Sequence, residues 1–596
     1  MKEAEPPSSR AARLAGLRAA LAAACVAGCI VPRADEHLGE YVPPSAERLA
    51  WLSGFTGSAG LAVVLADRAV LFTDGRYTLQ AEAETDGALW ERRHIQEEPP
   101  EAWLARTAPG ARIGYDPMLI SEAGLRRFEK AGLAMVPLAP NPIDALWNDR
   151  PAPPRAPCTP HPISFAGEES KAKRVRLAAT LAAAGDDAAV LADPAAVNWL
   201  LNIRGRDLEF TPVALGFAIF SADAAVQLFM AEEKVPPGTR AWLGPEVSLA
   251  PPAALGTALA GLAGRRVRVD PGETPAWFAA TLRAAGAVVS EAPDPTLLAK
   301  ACKNATEQEG ARAAHRRDAV AVARFLAWLA RVGAAGGETE CSAAARLLAF
   351  RATLDGFAGE SFPAISGAGE HGAIIHYRAS PASDRPIRAG EAYLIDSGAQ
   401  FPEGTTDITR TVWTGPDAPP RELAERFTRV LAGNIALATL RFPEGVAGAH
   451  IDAIARRALW DAGLDFDHGT GHGVGSFLSV HEGPARISRQ APPVALQPGM
   501  ILSDEPGFYL PGAYGIRLEN LLLVQPAAAA NGGKKFLSFE TLTLAPFARA
   551  LVVTELLEPA ARAWLDAYHA RVRDVVGPML PAEDRAWLEA ETAPLG

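Results

Sequence analysis

The chain has 596 residues, 49% hydrophobic and 21% charged, so it has ample apolar side chain to bury and is not a disordered tail. A single core rarely grows beyond about 300 residues, which excludes one undivided domain. Lys+Arg 58 against Asp+Glu 69 gives a net charge of −11, and an acidic chain repels phosphate backbones, so nucleic-acid binding is not expected.

Near the N-terminus Arg10, Arg13 and Arg18 precede an apolar run over 19–31 that loosely mimics a secretory signal. No small-residue cleavage site precedes Pro32 and Arg33. The stretch reads instead as an Ala-rich amphipathic helix over 10–26 running into a strand at 29–31. No apolar stretch reaches the ~18 residues of a membrane span, so no membrane association is expected. The five cysteines, Cys25, Cys29, Cys158, Cys302 and Cys341, are odd in number and scattered. They provide neither a disulfide framework nor zinc-ligand spacing and point to a reducing cytoplasm.

Two segments then resemble each other. Trp51-Leu-Ser-Gly-Phe-Thr-Gly57 and Trp199-Leu-Leu-Asn-Ile-Arg-Gly205 share a Trp-Leu start and a closing glycine. Each follows an Ala/Leu/Arg helix (10–26; 171–184) and a short strand. Each precedes two apolar strands, at 61–65 and 69–72 in the first and 214–220 and 225–230 in the second. The shared order predicts duplication of one α/β domain. Between the copies, Pro151, Pro153, Pro154, Pro157, Pro160 and Pro162 read as an extended linker. From about Leu297 the texture changes: a long helix is predicted over 306–332, then Gly becomes frequent. The tail over 559–594 reads as two short amphipathic helices carrying Trp564, Leu565, Tyr568, Trp587 and Leu588. The expected division is 1–157, 158–304 and 305–596.

Most polar chemistry lies in the last part. Asp396 ends an apolar strand, and Asp407 opens a Thr-rich, β-branched run. A hairpin would set both aspartates at one end of adjacent strands; the alternative is two surface aspartates. Apolar neighbours Leu394, Ile395, Ile408 and Val412 argue for burial, which is costly for an unpaired carboxylate. His468-Gly-Thr-Gly-His472-Gly-Val-Gly475 lacks the spacing and following helix of a phosphate loop. It reads as histidine ligation with glycines making room, or as a flexible loop with incidental histidines. The segment 477–483 after it has strand character. Glu505 follows Ile501 and Leu502, and Glu519 adjoins an apolar strand. Each is a ligand or the partner of an ordinary salt bridge, such as Glu519 with Arg517. If Asp396, Asp407, His472, Glu505 and Glu519 converge, clustered negative charges need cations. Oxygen ligands with one imidazole suit divalent ions such as Mn²⁺, and two such ions would hold a hydroxide and polarise a carbonyl.

At these residues the chain resembles the pita-bread metallopeptidases. The matching motifs are Leu394-Ile-Asp396-Ser-Gly, Asp407-Ile-Thr-Arg, His468-Gly-Thr-Gly-His472-Gly-Val-Gly, Asp504-Glu505-Pro-Gly and Arg517-Leu-Glu519-Asn. Val31-Pro-Arg-Ala-Asp35, Gly54-Phe-Thr-Gly57-Ser, Asn202-Ile-Arg-Gly205, Gly372-Ala-Ile-Ile-His376-Tyr and Trp564-Leu-x-x-Tyr568-His569 extend the resemblance to the long, three-domain Xaa-Pro aminopeptidases. It implies two duplicated creatinase-type α/β domains followed by a pita-bread catalytic domain of α+β type with a helical tail. It implies hydrolysis that releases the residue before a proline in second position, with prolidase and a non-catalytic peptide-binding relative as the other readings. Asp396 would bind one of two divalent metal ions, most often Mn²⁺. His472 and Glu505 would bind the other, and Asp407 and Glu519 would bridge. Glu505 would assist deprotonation of the water, while His376, His468 and His481 would contact substrate. A homodimer through the catalytic domain is implied as well. His371 departs from the pattern, which leads to expect Asn there, and reads as an exposed loop residue.

Overall fold

A computed structural model describes residues 7–333, 335–528 and 533–595. It divides into two compact units, Met1–His161 with Glu168–Leu297, and Pro162–Gly167 with Leu298–Gly596. Among the described residues no helix is long and apolar enough to cross a membrane.

The first unit holds two six-stranded sheets of identical topology. In one, Gly28–Pro32 pairs antiparallel with Leu61–Leu65 and parallel with Arg112–Tyr115. Ala69–Thr73 and then Glu91–His94 extend one side, and Ala134–Pro137 extends the other. In the second sheet Ala188–Leu191, Phe217–Ser221, Arg266–Val269, Val226–Phe229, Val247–Ala250 and Val288–Glu291 take those same places with the same strand directions. This is the duplication expected from the repeated Trp-Leu segments. Strand alternation divides the apolar side chains of the first sheet between its faces. Val64 and Leu71 pack with Leu14, Leu17 and Leu21 of the helix Pro7–Ala23, whereas Val63 and Val70 pack with Trp103, Ile113 and Phe128. The repeated glycine has a steric cause. A Cβ at Gly205 would lie 2.5 Å from the Ala214 nitrogen, and one at Gly57 would lie 2.3 Å from the Phe55 ring.

The proline-rich connection is less free than its composition suggests. Thr159–Pro160 pairs antiparallel with Ile203–Arg204, and Cys158 is fully buried. The prolines leave enough N–H and C=O groups for a two-residue ladder at an edge.

In the second unit Ala392–Ser397 lies between Ile365–Ala368 and Ile408–Trp413, all antiparallel. A six-stranded sheet runs Arg441–Pro443, Phe536–Thr541, Asn520–Ala527, Ile501–Asp504, Gly471–Gly473, Glu482–Ile487. The predicted long helix is Ala305–Val332, started by a capping box of Asn304 and Glu307. The tail forms Pro559–Val576 and Ala582–Glu591, whose Leu565, Tyr568, Val572 and Leu588 join the core around Phe427, Leu459 and Phe547. Residues 477–481 correct the strand expectation. The strand begins only at Glu482, and Phe477 has φ +50°. The Gly475 N–H bonds the Ser479 carbonyl at 3.0 Å, so the chain turns there, and Leu478 and Val480 are buried without a ladder.

One buried ion pair supports the hairpin that carries the site. On the long helix Asp318 accepts from Arg351 Nε at 2.7 Å and Nη2 at 3.0 Å, and from Thr406 Oγ1 at 2.8 Å. Thr406 adjoins Asp407. Arg351→Met leaves the Asp318 carboxylate buried without its cation, and urea unfolding is expected to show a loss of about 3–5 kcal/mol.

Candidate metal centre

Each candidate ligand lies in a strand or one residue outside one. Asp396 lies opposite Thr409 in the pair Ala392–Ser397 and Ile408–Trp413, and Asp407 immediately precedes the second strand. Both aspartates therefore lie at one end of adjacent strands, as the hairpin expectation has it. Asp504 pairs with Asn520, so Glu505 and Glu519, each one residue beyond, leave their strands at the same end. His472 is central in Gly471–Gly473. A Cβ at Gly471 would lie 1.9 Å from the Ser503 carbonyl oxygen, and one at Gly473 would lie 2.2 Å from that of Glu482. The flanking glycines thus let the histidine strand press between its neighbours.

The side chains converge. One donor atom each from Asp407, His472 and Glu519 lies within 4.8 Å of the others. His472 Nε2 is 3.5 Å from Asp407 Oδ2 and 3.6 Å from Glu505 Oε1. His472 Nδ1 lies 2.9 Å from the Gly473 carbonyl oxygen, so a hydrogen there leaves Nε2 facing the carboxylates. Asp396 Oδ2 accepts from Arg517 Nη2 at 2.7 Å, and Glu519 Oε2 accepts from Thr409 Oγ1 at 2.8 Å.

The electrostatics express crowding of like charge. Burial pushes the Asp396 carboxyl up to about 6; Arg517 opposes the rise, and Asp407 and Glu505 add to it. Glu519 is held well above the ordinary carboxylate range by burial, then by Asp407, Glu505 and Asp396. Burial draws the His472 imidazole down, but Asp407 and Glu505 outweigh it and push it up to about 9. Among the described residues Asp396 Oδ1 and Asp407 Oδ1 are buried without a hydrogen-bond partner. Orphaned carboxylate oxygens inside a cluster of carboxylates are costly unless a cation meets them. The donor set, four carboxylates and one imidazole, fits hard or borderline divalent ions.

Of the remaining predicted residues, His481 and His468 connect to this cluster. The His481 ring stands edge-on to His472 with centroids 4.3 Å apart. His468 Nδ1 lies 2.8 Å from the Gly469 carbonyl oxygen, and Nε2 lies 2.8 Å from the Tyr509 hydroxyl. Arg517 Nη1 donates to that hydroxyl oxygen at 2.7 Å, so a chain of hydrogen bonds leads from His468 through Tyr509 and Arg517 to Asp396. His376 is half-buried on the turn after the short helix Gly369–Ala373.

Sequence reasoning missed Tyr509 and Thr409 and weighed Arg517 as a partner for Glu519. Arg517 bonds Asp396 instead. The available signal was an arginine between apolar Ile516 and Leu518: at 2% exposure it requires a buried anion. His371 also corrects an expectation. It is not an exposed loop residue; it is half-buried, and its Nδ1 lies 3.0 Å from both carboxylate oxygens of Glu340.

Known proteins match this arrangement from end to end. Residues 13–146 and 149–307 each match the Creatinase/Prolidase N-terminal domain, 309–526 match Metallopeptidase family M24, and 535–595 match the C-terminal region of peptidase M24. A probable Xaa-Pro aminopeptidase P of Neosartorya fischeri is 38% identical over 98% of this chain and 92% of its own length. Aminopeptidase P2 of Arabidopsis thaliana is 39% identical over 95% and 86%. The crystal structure of X-prolyl aminopeptidase from Caenorhabditis elegans, described as a cytosolic enzyme with a di-nuclear active site, superposes with a TM-score of 0.93 at 34% identity, covering 98% of this chain and 99% of that one. With identity sustained at this level over almost the whole length, the chain belongs to metallopeptidase family M24 and, within it, to the Xaa-Pro aminopeptidases P.

Proposed function

We propose that the protein is a metal-dependent aminopeptidase that releases the N-terminal residue from peptides with proline in second position. The convergence of Asp396, Asp407, His472, Glu505 and Glu519, with two orphaned oxygens among them, carries the reading. Two divalent ions, manganese being the choice that the donor set favours, supply Lewis-acid polarisation and a more acidic water when bound. Asp396 would hold one, His472 and Glu505 would hold the other, and Asp407 and Glu519 would serve both.

The protein's own groups do the rest. The Glu505 side chain is 19% exposed against 4% for Asp407, and Ser503 Oγ donates to its Oε1 at 3.1 Å. It is the ligand best placed to take a proton from the attacking water and pass it to the leaving nitrogen. His376, His468 and His481 meet the substrate, and Tyr509 and Arg517 orient His468. The chain divides functionally into 1–157, 158–304 and 305–596, the last carrying catalysis. A cytoplasmic location and a homodimer built on that last part go with this reading; the free cysteines support the location.

The substrate test follows from the bond. An Xaa-Pro peptide bond has no N–H and its φ is set by the ring. An enzyme that accepts it needs no donor from that nitrogen until the leaving amine is protonated. Xaa-Pro-Xaa tripeptides and longer Xaa-Pro peptides are expected to lose their first residue, and their Xaa-Ala counterparts little or none. Product analysis across the matched set checks it. Fast cleavage of Xaa-Pro dipeptides with longer peptides untouched would transfer the assignment to prolidase. Equal rates on the alanine series would remove proline from the description.

A further inference from the structure

Glu340 opens the helix Glu340–Arg351 and is fully buried, at a place outside the carboxylate cluster described above. Its carboxylate collects donors from one short stretch of chain. Ala368 N–H donates to Oε1 at 2.8 Å, His371 Nδ1 lies 3.0 Å from both oxygens, and Tyr377 O–H donates to Oε2 at 2.8 Å. The N-terminal end of the helix favours negative charge there. The His371 and Tyr377 rings lie 4.5 Å apart, and Tyr377 is buried against Ile365 and Leu394. Between them the backbone is pressed on its neighbour: a Cβ at Gly515 would lie 1.7 Å from the Gly372 carbonyl oxygen. The segment 371–377 is therefore tied at both ends to a single carboxylate, and His376 adjoins the second tie.

We propose that His371 is a positioning residue of the substrate site, its Nδ1–H bond to Glu340 fixing the turn that presents His376. The imidazole contributes a donor and a flat face for Tyr377, and needs no contact with substrate. With the donor gone, Glu340 keeps Ala368 and Tyr377, so the helix start survives while the 371–376 turn loosens. Loss of registration on this scale costs rate more than binding.

The inference rests on His376 meeting the substrate, and the experiment separates the two. His371→Phe keeps a ring against Tyr377 and removes the donor; His371→Asn keeps a donor. Both are measured on an Xaa-Pro-Xaa peptide, alone and combined with His376→Ala, alongside metal content and thermal unfolding. His371→Phe is expected to lower kcat about 10- to 100-fold with a smaller change in KM. Metal content stays at the wild-type level, and His371→Asn restores most of the loss. In the His376→Ala background His371→Phe costs nothing further, because the two act as one unit. Additive losses would overturn the proposal, as would wild-type turnover in His371→Phe beside an impaired His376→Ala. Undiminished turnover in His376→Ala alone would overturn both the proposal and the role of His376. If His371→Phe does not fold, Tyr377→Phe, which removes only the hydroxyl, takes its place. A smaller fall in kcat that vanishes with His376→Ala is expected from it, and unchanged turnover overturns the proposal.

Discussion

Glu505→Gln is expected to lower turnover about 10²–10⁴-fold, the usual contribution of a general base. The amide keeps an oxygen beside His472 Nε2, which is 3.6 Å from Glu505 Oε1, and keeps the Ser503 hydrogen bond. It loses the ability to take a proton. Two effects are separable. If the deficit is in proton transfer, metal content measured after gel filtration stays near wild type while kcat falls. If Glu505 matters chiefly as a ligand, the ions are lost and added Mn²⁺ restores activity. Near-wild-type turnover with full metal content would move the base elsewhere, and Glu505 would then be a ligand alone.

Metal removal is expected to abolish activity and to lower the melting temperature by an amount that grows with pH. In the stripped protein Asp396 is raised to about 6 and His472 to about 9. Both folded-state values lie above the ordinary ones, so both groups hold their protons more tightly when folded. Their contribution is complete below the ordinary values. It is lost as pH rises, through about 6 for the carboxyl and about 9 for the imidazole. Bound cations would reverse this trend, because Asp396, Glu519 and His472 Nε2 would have to give up protons to serve as the proposed ligands. A ligand at 100 times its dissociation constant adds about 2.7 kcal/mol to the folded state. Melting curves with and without chelator at pH 5.5, 7 and 8.5 check the expectation. The gap widens from the first to the last, and a gap independent of pH contradicts the charge-crowding argument.

Among the elements, those with a local cause were legible. The helix at 305–332 has an Asn304 cap and helical apolar spacing, and its predicted start was one residue off. The strand holding Asp396 is an apolar run and the one after Asp407 a Thr-rich, β-branched run, with Gly398 and Gly404 between them. The two creatinase-type sheets were visible as a repeated order of elements. Residues 477–481 were misread because buried apolar residues at alternate positions look like a strand, whereas here Leu478 and Val480 fill a turn next to Gly475.

Within the site, the burial of the candidate ligands at or beside strand ends could be read from residue chemistry: a carboxylate among apolar residues needs a partner wherever the chain goes. Which partner it meets could not. Arg517 stands two positions from Glu519 yet bonds Asp396, 121 residues away in the chain. His371 has only polar-loop character in sequence and finds Glu340 through the return of Ile365–Ala368 beside the helix start. Propensity, alternation and glycine placement act over a few residues and are written in the chain. Ion pairing and proton affinity depend on distances that arise only when remote strands pair, and so belong to the folded molecule.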